Sequence, residues 1–169
     1  MDLSGIDQYP SKEAFVEEIK NKTYETELKC HGCAQVIVQT FMDVLGVDNP
    51  DVSLAASPFF AGIALTGNTC GALIGSLIML GIVFGRKDVY EGMPGLLKGV
   101  KPMRKLVKTF RQNNQYLNCT EITGTDLADP EKAEAYVGSG GLERCAGIMA
   151  DAGGYAAELI YHHYRAEKA

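Results

Sequence analysis

Apolar residues recur every three to four positions along most of the chain, and no stretch alternates with the two-residue period of a strand. This pattern predicts an all-α protein. The predicted helices cover about residues 11–21, 33–45, 51–57 and 69–84, and a helical face runs from 96 to 110. One short turn follows 118, a further short helix starts at Asp129-Pro130, and a long helix follows the glycines at 138–141. We expect Ser11 to cap the first helix and Pro102 to kink or split its helix. We also expect a capping box from Asn118 to Glu121, closed by Gly124.

Residues 70–85 read CGALIGSLIMLGIVFG and are apolar on every side of a helix. A bilayer span needs about 20 such residues, so the stretch predicts a buried central helix, about 69–84, and no membrane span. Gly71 and Gly75 lie four positions apart and would let a neighbouring backbone approach closely. The expected architecture is a single-domain helical bundle around this segment.

The chain has 169 residues and a formal net charge of -5. This acidic balance argues against nucleic-acid binding, which needs a surplus of Lys and Arg. Residues 1–15 show neither the basic nor the apolar region of a secretory signal. Five cysteines without such a signal indicate a reducing, cytoplasmic location, where clustered cysteines more often serve metal binding or redox chemistry than disulfides.

Four cysteines fall near the start of four different predicted helices: Cys33, Cys70, Cys119 and Cys145. A helix N-terminus presents free N–H groups and a partial positive charge. For a cysteine this lowers the thiol pKa and populates the thiolate, the form that binds metals and attacks disulfides. The alternative interpretation is that each is simply a small buried hydrophobic residue.

These residues resemble a family of redox-active proteins named for a Cys…CGAxxG…Cys…Cys pattern. The matching segments are GCAQVIV at 32–38, CGALIG at 70–75, NCTEITGTDL at 118–127 and ERCAGIMADAG at 143–153. The resemblance covers about residues 28–160, and its most specific piece is TCGALIGSLIMLG at 69–81. We therefore expect one domain over 1–169, with an N-terminal helical extension at 1–27 and a cysteine-quartet redox domain at 28–160.

The resemblance implies a redox function at Cys33, Cys70, Cys119 and Cys145, with Gly71 beside them. A related domain in a multi-haem cytochrome holds an iron–sulfur centre through such cysteines, so the implied cofactor is an iron–sulfur cluster used in electron transfer. The chain departs from the family in two respects. The family's glycine-rich run before the central motif is replaced by the bulkier SPFFAGIALTG at 57–67, and Cys30 is additional to the quartet.

Several chemistries stay open for these cysteines. Cys30 and Cys33 form a Cys-x-x-Cys pair, but haem attachment needs a following histidine where Ala34 stands, and a thioredoxin fold needs a βαβ unit. The quartet could hold an iron–sulfur cluster, with backbone N–H groups at Gly32 and Gly71 tuning its potential. The alternatives are a metal-free dithiol oxidoreductase or redox sensor that uses Cys30–Cys33 or Cys70–Cys119, and a structural zinc site or metal-free adaptor. The sequence leaves open whether the protein turns over a substrate.

A basic stripe stands out in this acidic chain. No Asp or Glu occurs between residues 92 and 120, where the basic residues are Lys98, Lys101, Arg104, Lys105, Lys108 and Arg111. The simpler interpretation is a solvated helix face. The functional hypothesis is a docking surface for an acidic redox partner protein, since complementary charge speeds transient encounters. The apolar faces of a bundle are also compatible with a homodimer.

Overall fold

The computed structural model describes residues 1–168. Over these residues the chain forms helices and one isolated bridge but no strand, so the all-α, single-domain prediction is confirmed. The α-helices in chain order are α1 (Lys12–Cys30), α2 (Cys33–Leu45), α3 (Pro50–Ala56), α4 (Gly71–Phe84), α5 (Gly92–Lys98), α6 (Val100–Asn114), α7 (Cys119–Thr123), α8 (Pro130–Gly138) and α9 (Gly141–Lys168). Short 3-10 turns span Ser4–Gln8 and Val89–Glu91.

Helix α4 lies at the centre of the bundle and packs against α2, α6 and α9. Every residue from 71 to 84 is buried or half-buried, which confirms the predicted central helix. Among residues 1–168, no helix combines the length and apolarity that a membrane crossing needs. The apolar composition of α4 therefore allows this helix to pack against neighbours on several sides at once.

Helix α1 begins after Ser11, whose hydroxyl accepts a hydrogen bond from the Ala14 N–H, as predicted. It continues to Cys30, well past the predicted end near residue 21. The extra turns are held by the contact with α9, the most extensive between two helices of the bundle. At Gly154 of α9 a Cβ would lie 2.6 Å from Cγ of Lys20, so the absence of a side chain there permits this close packing.

The segment that carries the basic stripe folds differently from the prediction in one respect. Pro102 neither kinks nor splits a helix, because it is the third residue of α6, where a missing N–H removes no helical hydrogen bond. The break lies at Gly99, between α5 and α6, and packs against the Phe84 carbonyl at the end of α4. From there α6 runs back beside α4 toward Leu117, whose carbonyl accepts from the Cys70 N–H.

The predicted capping box at Asn118 is absent, because the Asn118 side chain makes no cap hydrogen bond to α7. The helix end is as expected, with Gly124 in the left-handed conformation. A capping box does occur elsewhere in the described chain, between Asp88 and Glu91. Asn118 instead takes part in a backbone bridge to the segment before α4.

Glycine on α4 allows the backbones of α2 and α4 to touch. A Cβ built at Gly75 would lie 2.7 Å from the Ala34 carbonyl oxygen and 2.9 Å from the Ala34 Cα. Both are backbone atoms, so the clash could be relieved only by moving a helix. At Gly81, six residues further along the same helix, a Cβ would meet nothing within 4 Å.

We therefore expect Gly75→Ala and Gly81→Ala to change stability in opposite directions. Overpacking at residue 75 should lower the free energy of unfolding by about 1–3 kcal/mol. At residue 81 the better helix propensity of alanine should raise it by up to about 1 kcal/mol. Denaturant unfolding of both variants measures this, and equal effects would contradict the close approach of α2 and α4.

Candidate functional site

The four cysteines of the predicted quartet do lie at or near helix starts. Helix α2 begins at Cys33, Cys70 is the residue immediately before α4, and α7 begins at Cys119. Cys145 is the fifth residue of α9. The predicted placement near N-termini is therefore confirmed for all four, although α7 has only five residues.

All four thiols line one cavity of about 240 Å³. The rest of its wall is almost wholly apolar and comes from the end of α1 and the turn after it, the 59–69 loop, α7 and the segment after it, α8 and α9. Its apolar members include Phe60, Leu65, Ile122, Leu127, Leu142 and Met149. The fold thus gathers four cysteines, from distant parts of the chain, around a single water-poor space.

An antiparallel backbone bridge sets Cys70 and Cys119 side by side. Thr69 pairs with Asn118, the Cys70 N–H donates to the Leu117 carbonyl at 2.8 Å, and the Cys119 N–H donates to the Asn68 carbonyl at 2.7 Å. Each cysteine directly follows its bridged residue, so the two are diagonal neighbours across the bridge. The bridge therefore joins the start of α4 to the start of α7.

A close contact at Gly71 sets Cys33 beside the start of α4. A Cβ at Gly71 would lie 2.5 Å from the Cys33 Cβ and would also overlap the Phe59 carbonyl oxygen. Only glycine fits at this position without displacing the cysteine. The structure thus gives Gly71 a packing role, while its predicted effect on a reduction potential stays a prediction.

The loop before α4 has an unusual backbone. Residues 61–65 all have positive φ, including the non-glycine residues Ala61, Ile63, Ala64 and Leu65. This conformation costs on the order of 1–2 kcal/mol for each such residue. Hydrogen bonds oppose the strain: the Ala64 N–H donates to the Pro58 carbonyl, and the Asn68 N–H donates to the Gly62 carbonyl, both at 2.9 Å. The loop supplies Ala61 and Leu65 to the cavity wall.

Burial, and not the position at a helix N-terminus, determines the pKa of the four thiols. It raises the pKa of Cys33, Cys70 and Cys119 to about 12, and it also raises the pKa of Cys145. N–H groups, such as that of Ala61 at Cys33, lower the pKa by less. The expectation that helix N-termini would lower these pKa values is therefore wrong. Moving the thiolate out of water costs more free energy than the N–H groups return by stabilising it. Without a bound metal these thiols are neutral at pH 7.

Tyr136 of α8 is a polar neighbour of the quartet that the sequence did not reveal. Its hydroxyl lies 3.4 Å from Sγ of Cys145, and burial raises the pKa of the tyrosine above its usual value. The hydrogen bond to Tyr136 acts against burial at Cys145. A neutral phenol is thus held against one thiol.

Glu27, in the last turn of α1, is a buried carboxyl group on the cavity wall. It accepts a hydrogen bond from the Gly32 N–H, and burial raises its pKa to about 7. Sequence reasoning missed it because the predicted helix ended too early. The signal was present, since Glu27 continues the four-residue spacing of the buried positions Phe15, Ile19 and Thr23.

The structure separates the two members of the Cys-x-x-Cys pair. Cys30 is exposed and is not among the cavity-lining residues, whereas Cys33 lines the cavity. The link between them turns through His31 and Gly32, with φ of 55° and 126°. All five cysteines are free thiols. Cys33 therefore shares a site with the quartet and not with Cys30.

The donor set fits an iron–sulfur cluster in kind and number, since four cysteines line one apolar cavity. In residues 1–168 no three His, Cys, Asp or Glu side chains already form a group that could hold a metal ion. The thiols line a wall, therefore, and do not converge on one point. Oε2 of Glu27 is a buried oxygen atom without a hydrogen-bond partner on the wall of this cavity.

The predicted docking residues lie on another surface. Lys98 ends α5, and the other five lie on α6; all six are exposed: Lys98, Lys101, Arg104, Lys105, Lys108 and Arg111. We call this set the basic stripe. Lys98 pairs with Glu91 at 2.8 Å. The ammonium group of Lys105 lies 5.8 Å from the centre of the Tyr155 ring.

Comparison with known proteins gives one match. The family model described as "Putative redox-active protein (C_GCAxxG_C_C)" matches residues 31–159, which contain all four cavity cysteines. No curated protein and no solved structure shows a significant match to the chain.

The thiol geometry predicts a sharp difference in reactivity. In metal-free, reduced protein at pH 8, we expect iodoacetamide to modify the exposed Cys30 rapidly. Cys33, Cys70 and Cys119 should react at least about a hundredfold more slowly than in the unfolded chain, because few of their thiols are ionised. Peptide mass mapping over time measures each site.

A Cys30→Ser variant is the control, and it should lack the fast reaction. If Cys33 instead reacts as fast as Cys30, the neutral-thiol interpretation is wrong and a Cys30–Cys33 dithiol is favoured.

Proposed function

The chain belongs to the C_GCAxxG_C_C family of redox-active proteins, and we propose that its four cavity cysteines hold an iron–sulfur cluster for electron transfer. The observation that carries the proposal is that one apolar cavity is lined by Cys33, Cys70, Cys119 and Cys145 together. Four helices and a backbone bridge are needed to bring them there. Such an arrangement is costly to build if the cysteines act only as small hydrophobic residues.

The thiol pKa values favour metal coordination over metal-free disulfide exchange. At a pKa of about 12, roughly one thiol in 10⁵ is ionised at pH 7, and the thiolate is the attacking species in exchange. Coordination to a metal deprotonates a thiol outright, so burial is less of an obstacle to it. A buried, neutral quartet is therefore better suited to hold a cluster than to attack a disulfide.

The space between the thiols favours a cluster over a single zinc ion. A tetrahedral zinc site with Zn–S bonds near 2.3 Å places its sulfurs about 3.8 Å apart. Here the four cysteines form part of the wall of a cavity of about 240 Å³ and do not meet at one point. A polynuclear centre makes use of that volume, whereas one ion would require the wall to collapse.

The chain's own residues would set the behaviour of this centre. A cluster supplies one-electron chemistry at a potential that depends on hydrogen bonds and solvent access. The apolar wall excludes water, and the Tyr136 hydroxyl lies within 3.4 Å of Sγ of Cys145. The backbone N–H groups at the starts of α2 and α4 face the same end of the bundle. These groups and the Ala61 N–H beside Cys33 are hydrogen-bond donors that could tune the centre.

Replacing a quartet cysteine should abolish the centre. In protein purified without oxygen, we expect wild type to carry stoichiometric iron and a visible absorption that bleaches on reduction. Cys70→Ser should lose both, because a neutral hydroxyl replaces a required thiolate. Iron analysis and visible spectra measure the outcome.

Cys30→Ser is the matched control and should keep the iron and the spectrum, since Cys30 lies outside the cavity. Full iron content in Cys70→Ser would disprove the quartet. A colourless wild type without iron, after reconstitution with iron and sulfide, would disprove the cluster.

We further propose that the basic stripe docks an acidic redox partner. Residues 86–112 contain eight Lys and Arg against two Asp and Glu, whereas the rest of the chain contains eight against nineteen. This segregation makes the molecule strongly dipolar. Helix α6 runs back toward Leu117, which pairs with Cys70, so the stripe extends to the end of the bundle that holds the cavity.

Charge reversal should alter electron exchange in a salt-dependent way. With Lys101→Glu and Lys108→Glu combined, we expect oxidation of the reduced centre by ferricyanide, a trianion, to slow several-fold at low salt. Oxidation by the cation hexaamminecobalt(III) should accelerate, and both effects should fade at high salt because of screening. Stopped-flow absorbance measures the rates.

Lys12→Glu with Lys168→Glu carries the same charge change on other helices and serves as the control. Equal effects of the two double variants, or effects that persist at high salt, would count against the docking surface.

A further inference from the structure

Only one oxygen of the Glu27 carboxyl group makes a contact that stabilises the fold. The residue is 3% exposed and lies on the wall of the cysteine cavity. Its carboxylate accepts the Gly32 N–H, which ties the end of α1 to the turn before α2. Oε2 has no hydrogen-bond partner in the described chain. One oxygen therefore has a role in the fold, and the other has none.

No cation in residues 1–168 forms an ion pair with Glu27, although nine pairs between Lys or Arg and a carboxylate are present there. Buried carboxylates in proteins are normally paired, hydrogen-bonded or bound to a metal, because an isolated charge in apolar surroundings is strongly destabilising. Glu27 borders the cavity with the four thiols. A positively charged occupant of that space would satisfy the orphan oxygen.

The position of Glu27 is fixed relative to the quartet. The Glu27 carbonyl accepts the His31 N–H at 3.1 Å, and His31 Nδ1 lies 2.8 Å from the same oxygen. These contacts hold the turn that leads into Cys33. Glu27 lines the same cavity as Cys33 and Cys145, and its charge raises the pKa of both. Glu27 thus borders the site from the α1 side with two of its cysteines close by.

We propose that Glu27 is a fifth donor of this site and binds a metal of the centre through Oε2, beside the four cysteine sulfurs. The inference rests on the proposed cluster and deepens it by adding an oxygen ligand to the sulfur set. An oxygen donor is harder than a thiolate and suits iron better than Cu(I). One iron would then differ from the others in its ligands, which gives the centre a spectroscopic signature independent of activity.

Glu27→Gln is the sharpest test, because the amide is isosteric and can still accept the Gly32 N–H. Wild type and variant are reconstituted anaerobically with ⁵⁷Fe and sulfide. We expect a Mössbauer subsite of oxygen-ligated iron in wild type that is lost in the variant. We also expect iron to leave the variant roughly ten- to a hundredfold faster in the presence of bipyridyl.

Glu27→Gln should weaken iron binding, but it should not destabilise the metal-free protein. Removing an unpaired buried charge at pH 8 should leave the metal-free variant as stable as wild type or more stable, measured by urea unfolding. A residue that only holds the α1–α2 junction would leave iron retention unchanged, because glutamine can still accept the Gly32 N–H. Unchanged iron retention in Glu27→Gln, or a loss of metal-free stability together with the loss of iron, would overturn the inference.

Glu25→Gln is the matched control, since it makes the same change at an exposed position of the same helix. It should leave iron release and the Mössbauer spectrum unchanged. If wild type binds iron and Glu27→Gln matches it in both readouts, the fifth donor is disproved while the cluster stands. If wild type binds no iron, the proposed cluster fails, and the fifth donor fails with it.

Discussion

The backbone contact between α2 and α4 is the constraint on which the site depends. Both helices begin at the cavity, and Gly71 and Gly75 let them meet with nothing between their backbones. A methyl group at residue 71 would occupy the place of the Cys33 Cβ. Because Cys70 precedes α4 and Cys33 begins α2, this one contact sets the first two thiols of the quartet beside each other. Close packing of the α2 and α4 backbones therefore explains the glycines of the central motif, without any direct role for them in chemistry.

The other two cysteines depend on that contact indirectly. Cys119 is placed by the bridge from Thr69 to Asn118, which is anchored to the start of α4. Cys145 is placed by α9, which packs against α4 and α1. Four thiolates and a carboxylate would bring five negative charges into apolar surroundings, and only a positively charged centre can compensate them. Binding of the metal centre and deprotonation of the thiols must therefore occur together, so metal binding would release protons.

Much of the fold could be predicted from periodicity, because the helices bury one face or, in α4, nearly all faces. The break at Gly99 and the full length of α1 could not, since they depend on contacts with Phe84 and with α9. The placement of four cysteines at helix starts was also predictable from local capping residues. Their pKa values were not, because burial is a property of the assembled cavity. The burial of Glu27 could have been predicted from the sequence, because its spacing from Phe15 and Ile19 marks an inward-facing position of the helix.

The loop at 57–67 shows how this chain differs from the pattern that it resembles. Glycine adopts positive φ without cost, so a glycine-rich run is the simplest sequence for the left-handed backbone at residues 61–65. This chain has Ile63 and Leu65 in that conformation, and a β-branched residue there is strained. Hydrogen bonds within the loop oppose this strain, such as that from the Ala64 N–H to the Pro58 carbonyl. Phe60 and Leu65 line the cavity but stay 38% and 40% exposed, so the loop closes the site only in part.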